Sequence, residues 1–208
     1  MRLPRQARSR ATFDQILAAA EALLRDEGLQ GVTVQAILER TGIGAGSFYA
    51  RFDSHEALLR FMALRFWGEA EVGWAEFLRV DHWKSASVPA IVHAFIGVLV
   101  RWNSKYAPEL KAHLSHAMAE AEGNLLDEMA DVENTVADYL VDLTATRLDE
   151  IDTEDPEDRV RLATLQVFST LRSRIIFARD ESTAGISDKA LVQELSRAFL
   201  LHIGARPT

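Results

Sequence analysis

Apolar residues recur every three or four positions along almost the whole chain, and no segment alternates apolar and polar as a half-buried strand does. This period predicts an all-α protein of nine helices. The first runs from Ser9 or Thr12 to Glu27, with Phe13, Ile16, Leu17, Ala20, Leu23 and Leu24 on one face and Gly28 as its stop. Thr33 N-caps a short second helix carrying Val34, Ala36, Ile37 and Leu38. A tight turn at Gly42, where positive φ costs nothing, leads to a third helix over Gly44–Arg51. Asp53 or Ser54 caps a long fourth helix, Ser54–Arg79. The fifth starts at Ser87, with Pro89 in its first turn, and ends near Ser104. The sixth covers Pro108–Ala121, Gly123 marks a break, and the seventh covers Asn124–Ile151. After an acidic, proline-marked linker at Asp152–Asp158, the eighth runs from Pro156 to Arg179. Glu181–Gly185 is a loop, and the ninth spans Ser187–Ile203 with Gly204 at its end.

The 208 residues suit one compact domain, or one with a small domain appended. Cysteine is absent, which excludes disulfides, thiolate metal sites and cysteine nucleophiles. The longest apolar run, Pro89–Val100, is twelve residues including His93, short of the roughly 20 that a membrane span takes. Glu21 interrupts the apolar stretch Ile16–Leu24, so no secretory signal is expected there. These features suit a cytoplasmic protein without a membrane partner.

Charge is unevenly placed. The net charge is −8, yet residues 1–66 carry +2 and the remainder −10. Arg2, Arg5, Arg8 and Arg10 precede the first acidic residue, Asp14. An acidic body repels polyanions, so contact with nucleic acid is expected only from the N-terminal part.

Three short helices with a glycine turn between the second and third describe a helix-turn-helix, whose second member enters the DNA major groove. The run Gly42-Ile43-Gly44-Ala45-Gly46-Ser47-Phe48-Tyr49-Ala50-Arg51-Phe52 resembles the Gly-Val-Ser-Lys-Gly-Thr-Leu-Tyr-Tyr-His-Phe pattern of the tetracycline-repressor (TetR) family of bacterial regulators. Gly28-Leu29-Gln30-Gly31-Val32-Thr33 before it, and Ser54-His55-Glu56-Ala57-Leu58 after it, resemble the family's flanking segments. The resemblance is specific over about Thr12–Leu59. It implies a TetR-like nine-helix fold: a disordered basic arm over 1–8, a DNA-binding domain over 9–66 with its motif at 33–52, and an effector-binding and dimerisation domain over 67–208.

Within the motif, Ile43, Phe48 and Phe52 have the spacing of core residues. Gly44, Ala45 and Ser47 lie on the face that meets bases, and Gln35 has the amide for adenine. By resemblance and side-chain length, Tyr49 and Arg51 reach phosphates. Thr33 and His55 stand at helix N-termini that hold anions, and Arg8 and Arg10 reach backbone or minor groove. The departures from the family pattern are Ala45, Ala50, Asp53 and His55, where the family usually carries lysine, tyrosine, lysine and lysine. Each removes a phosphate contact or adds repulsion.

In the body, the resemblance implies a small-molecule effector. Aromatic and sulfur side chains nominate Trp67, Trp74, Phe77, His93, Phe95, Trp102, Tyr106, His113, Met118 and Met129 as its pocket, with ordinary core packing as the alternative for each. The lining suggests an apolar or aromatic ligand. His113 and His116, one turn apart with Glu109 and Glu120 nearby, have metal-compatible spacing, but a solvated face explains them as well. No metal and no cofactor is expected. The last two helices carry more apolar surface than a terminal hairpin needs. They predict a homodimer through Val167, Phe168, Leu171, Ile175, Leu191, Leu195, Phe199 and His202.

The expectation is a dimeric, effector-released repressor of a palindromic operator in double-stranded DNA, not an enzyme. Two alternatives stand beside it. One is a head with weakened DNA binding serving as a protein-interaction module. The other is an all-helical metal-dependent enzyme, whose candidate chemistry is confined to His113 and His116.

Overall fold

The computed structural model describes residues 7–119, 125–177 and 186–205, with side chains from residue 9. Among them are nine α-helices and no strand: α1 (Ala7–Glu27), α2 (Val34–Thr41), α3 (Ala45–Tyr49), α4 (His55–Phe77), α5 (Val88–Lys105), α6 (Ala107–Ala119), α7 (Leu125–Ala145), α8 (Pro156–Phe177) and α9 (Asp188–His202). Short 3-10 turns stand at Leu29–Gly31, Val80–Trp83 and Leu148–Glu150. The basic arm up to residue 6, the expected end of the sixth helix with Gly123, the end of the eighth at Arg179 and the Glu181–Gly185 loop lie outside the described residues.

The chain divides into two compact units. Residues up to Phe66 form the first together with Pro108–Leu126, and Trp67–Ala107 with the residues from Asp127 form the second. The first unit is built on the apolar stripe of α1: Ile16, Leu17, Ala20, Leu23 and Leu24 are buried with Ile37, Phe48, Phe52 and Leu58. The Phe13 ring stacks on Phe52 at 5.3 Å and meets Phe61 edge-on at 5.3 Å. In the second unit α5 is apolar nearly all round, and Ile91, Phe95, Ile96 and Leu99 are wholly buried. A helix with that pattern belongs in the middle of a bundle. It packs chiefly on α9 and also on α8.

Several helix ends fall short of the sequence expectation, and the third helix stops at Tyr49 rather than Arg51. The fourth helix ends at Phe77 rather than Arg79, because the Trp83 indole donates to the Phe77 carbonyl at 2.8 Å and turns the chain back. The seventh ends at Ala145 rather than Ile151. There Thr144 and Thr146 hydroxyls bond carbonyls one turn back, and Arg147 leaves the helical region at φ −139°. No glycine or proline marks that stop. Conversely, α1 starts at Ala7, earlier than Ser9.

Arg147 is 8% exposed and works through backbone carbonyls. Its Nε donates to Ala86 O at 2.8 Å and its Nη1 to Leu143 O at 2.7 Å, while Nη2 donates to Trp83 O. It thereby closes the end of α7 and ties the α4–α5 connection to it. Replacing it by an apolar residue strands these carbonyls away from water. Arg147→Leu is expected to lower the unfolding free energy by about 2–3 kcal/mol in urea titration. A loss below about 0.5 kcal/mol, the usual range of an ordinary surface change, would contradict this role.

Candidate nucleic-acid interface

The helix-turn-helix is assembled from local signals that agree with one another. Thr33 Oγ1 accepts from Ala36 N at 3.1 Å and caps α2. Gly42, at φ 70°, donates its N–H to Leu38 O at 2.8 Å and ends α2 in the left-handed conformation open to glycine. Thr41 Oγ1 donates to Ile37 O at 2.7 Å beside it. Gly44 opens α3 without a side-chain cap, as its lack of a hydroxyl requires. Ser54 Oγ accepts from Ala57 N at 3.0 Å and so starts α4. Phe48 and Phe52 are wholly buried, their rings 5.8 Å apart, and Ile43 is half-buried. This inner side leaves the other face of α3 to solvent. Ala45 and Gly46 are exposed, Ser47 is half-buried, and Tyr49 is 53% exposed.

The sequence-nominated contact residues separate into two groups. Arg10, Thr33, Gln35, Gly44, Ala45 and Tyr49 are exposed, and the Arg8 side chain lies outside the described residues. Gln35 Nε2 donates to Glu39 Oε1 at 2.9 Å along the α2 surface. The other group is turned inward. Arg51 is half-buried; its Nη1 donates to Ser47 O at 2.6 Å and its Nε to Ser9 O at 3.3 Å. His55 Nε2 lies 2.5 Å from Val32 O, and since a carbonyl only accepts, Nε2 carries the hydrogen. Its Nδ1 lies 3.6 Å from Glu56 Oε1. Arg40, which the sequence did not single out, pairs with Asp26 at 3.0 Å.

Residues 16–62 match the model of the "Bacterial regulatory proteins, tetR family". The head of this chain is similar to that family. The three-helix head just described is the part that carries the match, and transcription regulation is the family's role. None of the curated proteins compared matches the sequence. Several solved structures share the fold. A chain from Mesorhizobium loti MAFF303099 proposed as a tetR-family transcriptional regulator aligns with TM-score 0.71 at 15% identity, over 96% of this chain and 100% of its own. Salmonella enterica GusR aligns with TM-score 0.65 at 16% identity, over 97% and 98%. FadR from Bacillus subtilis, solved with stearoyl-CoA, aligns with TM-score 0.61 at 17% identity, over 92% and 97%. Among the described residues, no helix is long and apolar enough to cross a membrane.

The effector-pocket candidates are dispersed. Trp74 and Phe95 are buried in the second unit, their rings 5.4 Å apart, and Phe77 packs between Trp74 and Trp83. Trp67, Trp102 and Tyr106 form a half-buried row in the same unit, with centroids 6.1 and 5.7 Å apart. Met129 is buried, whereas His93 and Met118 are exposed. A pair that sequence reasoning missed, half-buried Arg172 to buried Glu133 at 2.8 Å, joins α8 to α7. Burial pushes the Glu133 carboxyl up, and the guanidinium pulls it down less strongly. The 39-residue separation left no local pattern to find it by.

Of the eight dimer-interface candidates, Val167, Leu171, Leu191 and Phe199 are buried in the second unit's own core. Phe168, Ile175, Leu195 and His202 are half-buried. The stripe through Val160, Val167 and Leu171 turns inward on α8, so a neighbouring stripe faces out. An open groove of about 470 Å³ runs there between α8 and α9, with Leu162, Leu165, Gln166, Thr170, Leu195 and Ala198 along it.

His113 and His116 are both buried, in the first unit. The His113 ring lies 5.1 Å from that of Phe66. His116 Nδ1 is 3.7 Å from Glu56 Oε2. Glu120 lies outside the described residues, and among those described no three His, Asp or Glu side chains are grouped to hold a metal.

Burial, with a smaller contribution from His116, lowers the His113 pKa from 6.5 to about 4. Between those values the unfolded chain binds a proton that the folded chain refuses. Stability is therefore unaffected above about pH 6.5 and falls as acid is added down to about pH 4. The full loss is on the order of 3 kcal/mol. His113→Phe, which keeps the ring contact and removes the titration, is expected to flatten the urea midpoint between pH 6.5 and 4. An unchanged pH profile would assign the acid sensitivity elsewhere.

Proposed function

We propose that this chain is a sequence-specific DNA-binding repressor of the bacterial cytoplasm, acting as a homodimer on a palindromic operator and released by an apolar or aromatic small molecule. The observation that carries the reading is the head itself: a capped α2, a left-handed Gly42 turn, and an α3 whose inner side is buried phenylalanine and whose outer side is open. In that arrangement Ala45 offers a methyl to thymine, Ser47 and Gln35 offer hydrogen bonds to base edges, and Arg10, Thr33 and Tyr49 face the backbone. Residues 9–66 are the DNA-binding part and 67–208 the effector and dimer part.

Dimerisation through α8 and α9 is favoured by what these helices leave uncovered. Leu162, on the groove between the two helices, is 48% exposed, and Leu201 on α9 is 60% exposed. A two-fold four-helix contact covers such a surface with its own copy. Paired heads then place two recognition helices about 34–36 Å apart, one turn of DNA, which makes the operator a palindrome. The row Trp67–Trp102–Tyr106 supports an effector with apolar or aromatic surface. FadR with stearoyl-CoA is a precedent for an acyl ligand on this fold. An effector that binds the body better when the heads are misplaced lowers operator affinity by population shift.

Selection of random duplexes by the purified protein at moderate salt, followed by sequencing, is expected to enrich one palindrome with half-sites about one turn apart. A folded protein that enriches no motif would overturn the reading and favour a protein-interaction module. Leu162→Glu with Leu201→Glu is expected to give monomers in sedimentation and to weaken palindrome binding at least about 100-fold, since each head then binds alone. A double variant that stays dimeric would place the interface elsewhere.

A further inference from the structure

We propose that Arg51 is a positioning residue that fixes the recognition helix for base reading, rather than a contact to DNA phosphate; this rests on the DNA-binding reading above. α3 has five residues, little more than one turn, and a helix that short has no stability of its own. The directions of Ala45, Ser47 and Tyr49 are therefore set by what holds α3 from outside. Phe48 and Phe52 fix its inner side by burial. Those contacts set which face turns inward, but they are apolar and leave the carbonyls at the end of α3 without a polar tie to the rest of the head.

The Arg51 guanidinium supplies that tie. The last carbonyls of a helix have no following turn to bond, and Nη1 of Arg51 meets one of them, Ser47 O, at 2.6 Å. Nε of the same planar group meets Ser9 O, in the first turn of α1, at 3.3 Å. One rigid fork thus bridges α3 to a residue 42 positions earlier in the chain. It does so beside the Phe13–Phe52 stack, where α1 and the end of the motif already touch. Swinging the guanidinium out to a phosphate would release both carbonyls. Lysine has the charge to meet a phosphate but cannot span two carbonyls in a fixed plane.

The test uses the full chain, its selected palindrome, and a scrambled duplex of the same length. Arg51→Lys and Arg51→Gln are first shown to fold by circular dichroism and urea titration. Both are expected to bind the palindrome at least about 10-fold more weakly. With Arg51→Lys, binding to the scrambled duplex and the dependence of affinity on salt stay as in the parent. Without DNA, amide hydrogen exchange over residues 47–52 is expected to quicken about 10-fold in both variants, with the rest of α1 unchanged. The opposite pattern overturns the proposal. In it, Arg51→Lys binds like the parent, while Arg51→Gln weakens both duplexes alike and loses about 0.9 of salt slope per chain, the signature of one phosphate contact. If the parent protein enriches no palindrome, the DNA-binding reading fails and exchange alone decides. Unchanged exchange over 47–52 then rules out the positioning role.

Discussion

Burial of Phe48 and Phe52 against α1 is the interaction on which the head depends. A five-residue helix persists only if tertiary contacts replace the turns it lacks, and these two rings provide them. Phe13 carries the contact into α1 by stacking on Phe52, and Phe61 continues it into α4. One aromatic cluster therefore joins three helices and leaves the outer face of α3 free. The same geometry explains why that face tolerates Gly44, Ala45 and Gly46, where an added Cβ at either glycine meets nothing within 4 Å. Packing from behind holds the helix, so the side that meets a ligand carries few structural duties.

The second unit solves a different problem. Its centre is α5, which has apolar residues on most of its circumference and needs neighbours on all sides. α9 and α8 cover it, and in doing so they spend their own best apolar stripes inward. The outward surface left on these two helices is narrower and more mixed, with Leu162 among Gln166, Ser169 and Thr170. Two polar groups inside this unit, Arg147 and Glu133, are tied to backbone carbonyls and to Arg172 respectively.

Local chemistry was legible in the sequence wherever the partner lies within one turn. The Thr33, Ser54 and Ser187 caps, the Gly28 and Gly42 stops and the proline in the first turn of α5 all follow from neighbours in the chain. So did the inward faces of α1 and the motif, because helical period sorts residues into sides. The stop of α7 was not legible, since it depends on Arg147 finding carbonyls more than 60 residues away.

By itself the sequence determined the all-α class, the helix-turn-helix and its glycine turn, and the family whose pattern the head matches. Period and capping act over a few residues, so one chain suffices to read them. The tertiary structure decided which long polar side chains face solvent. Arg51 and His55 read as outward phosphate contacts from their positions, yet both bond carbonyls of distant segments. It also decided which of two apolar stripes on α8 turns inward. A stripe records that a face is buried, but what buries it is fixed only when the other helices are in place.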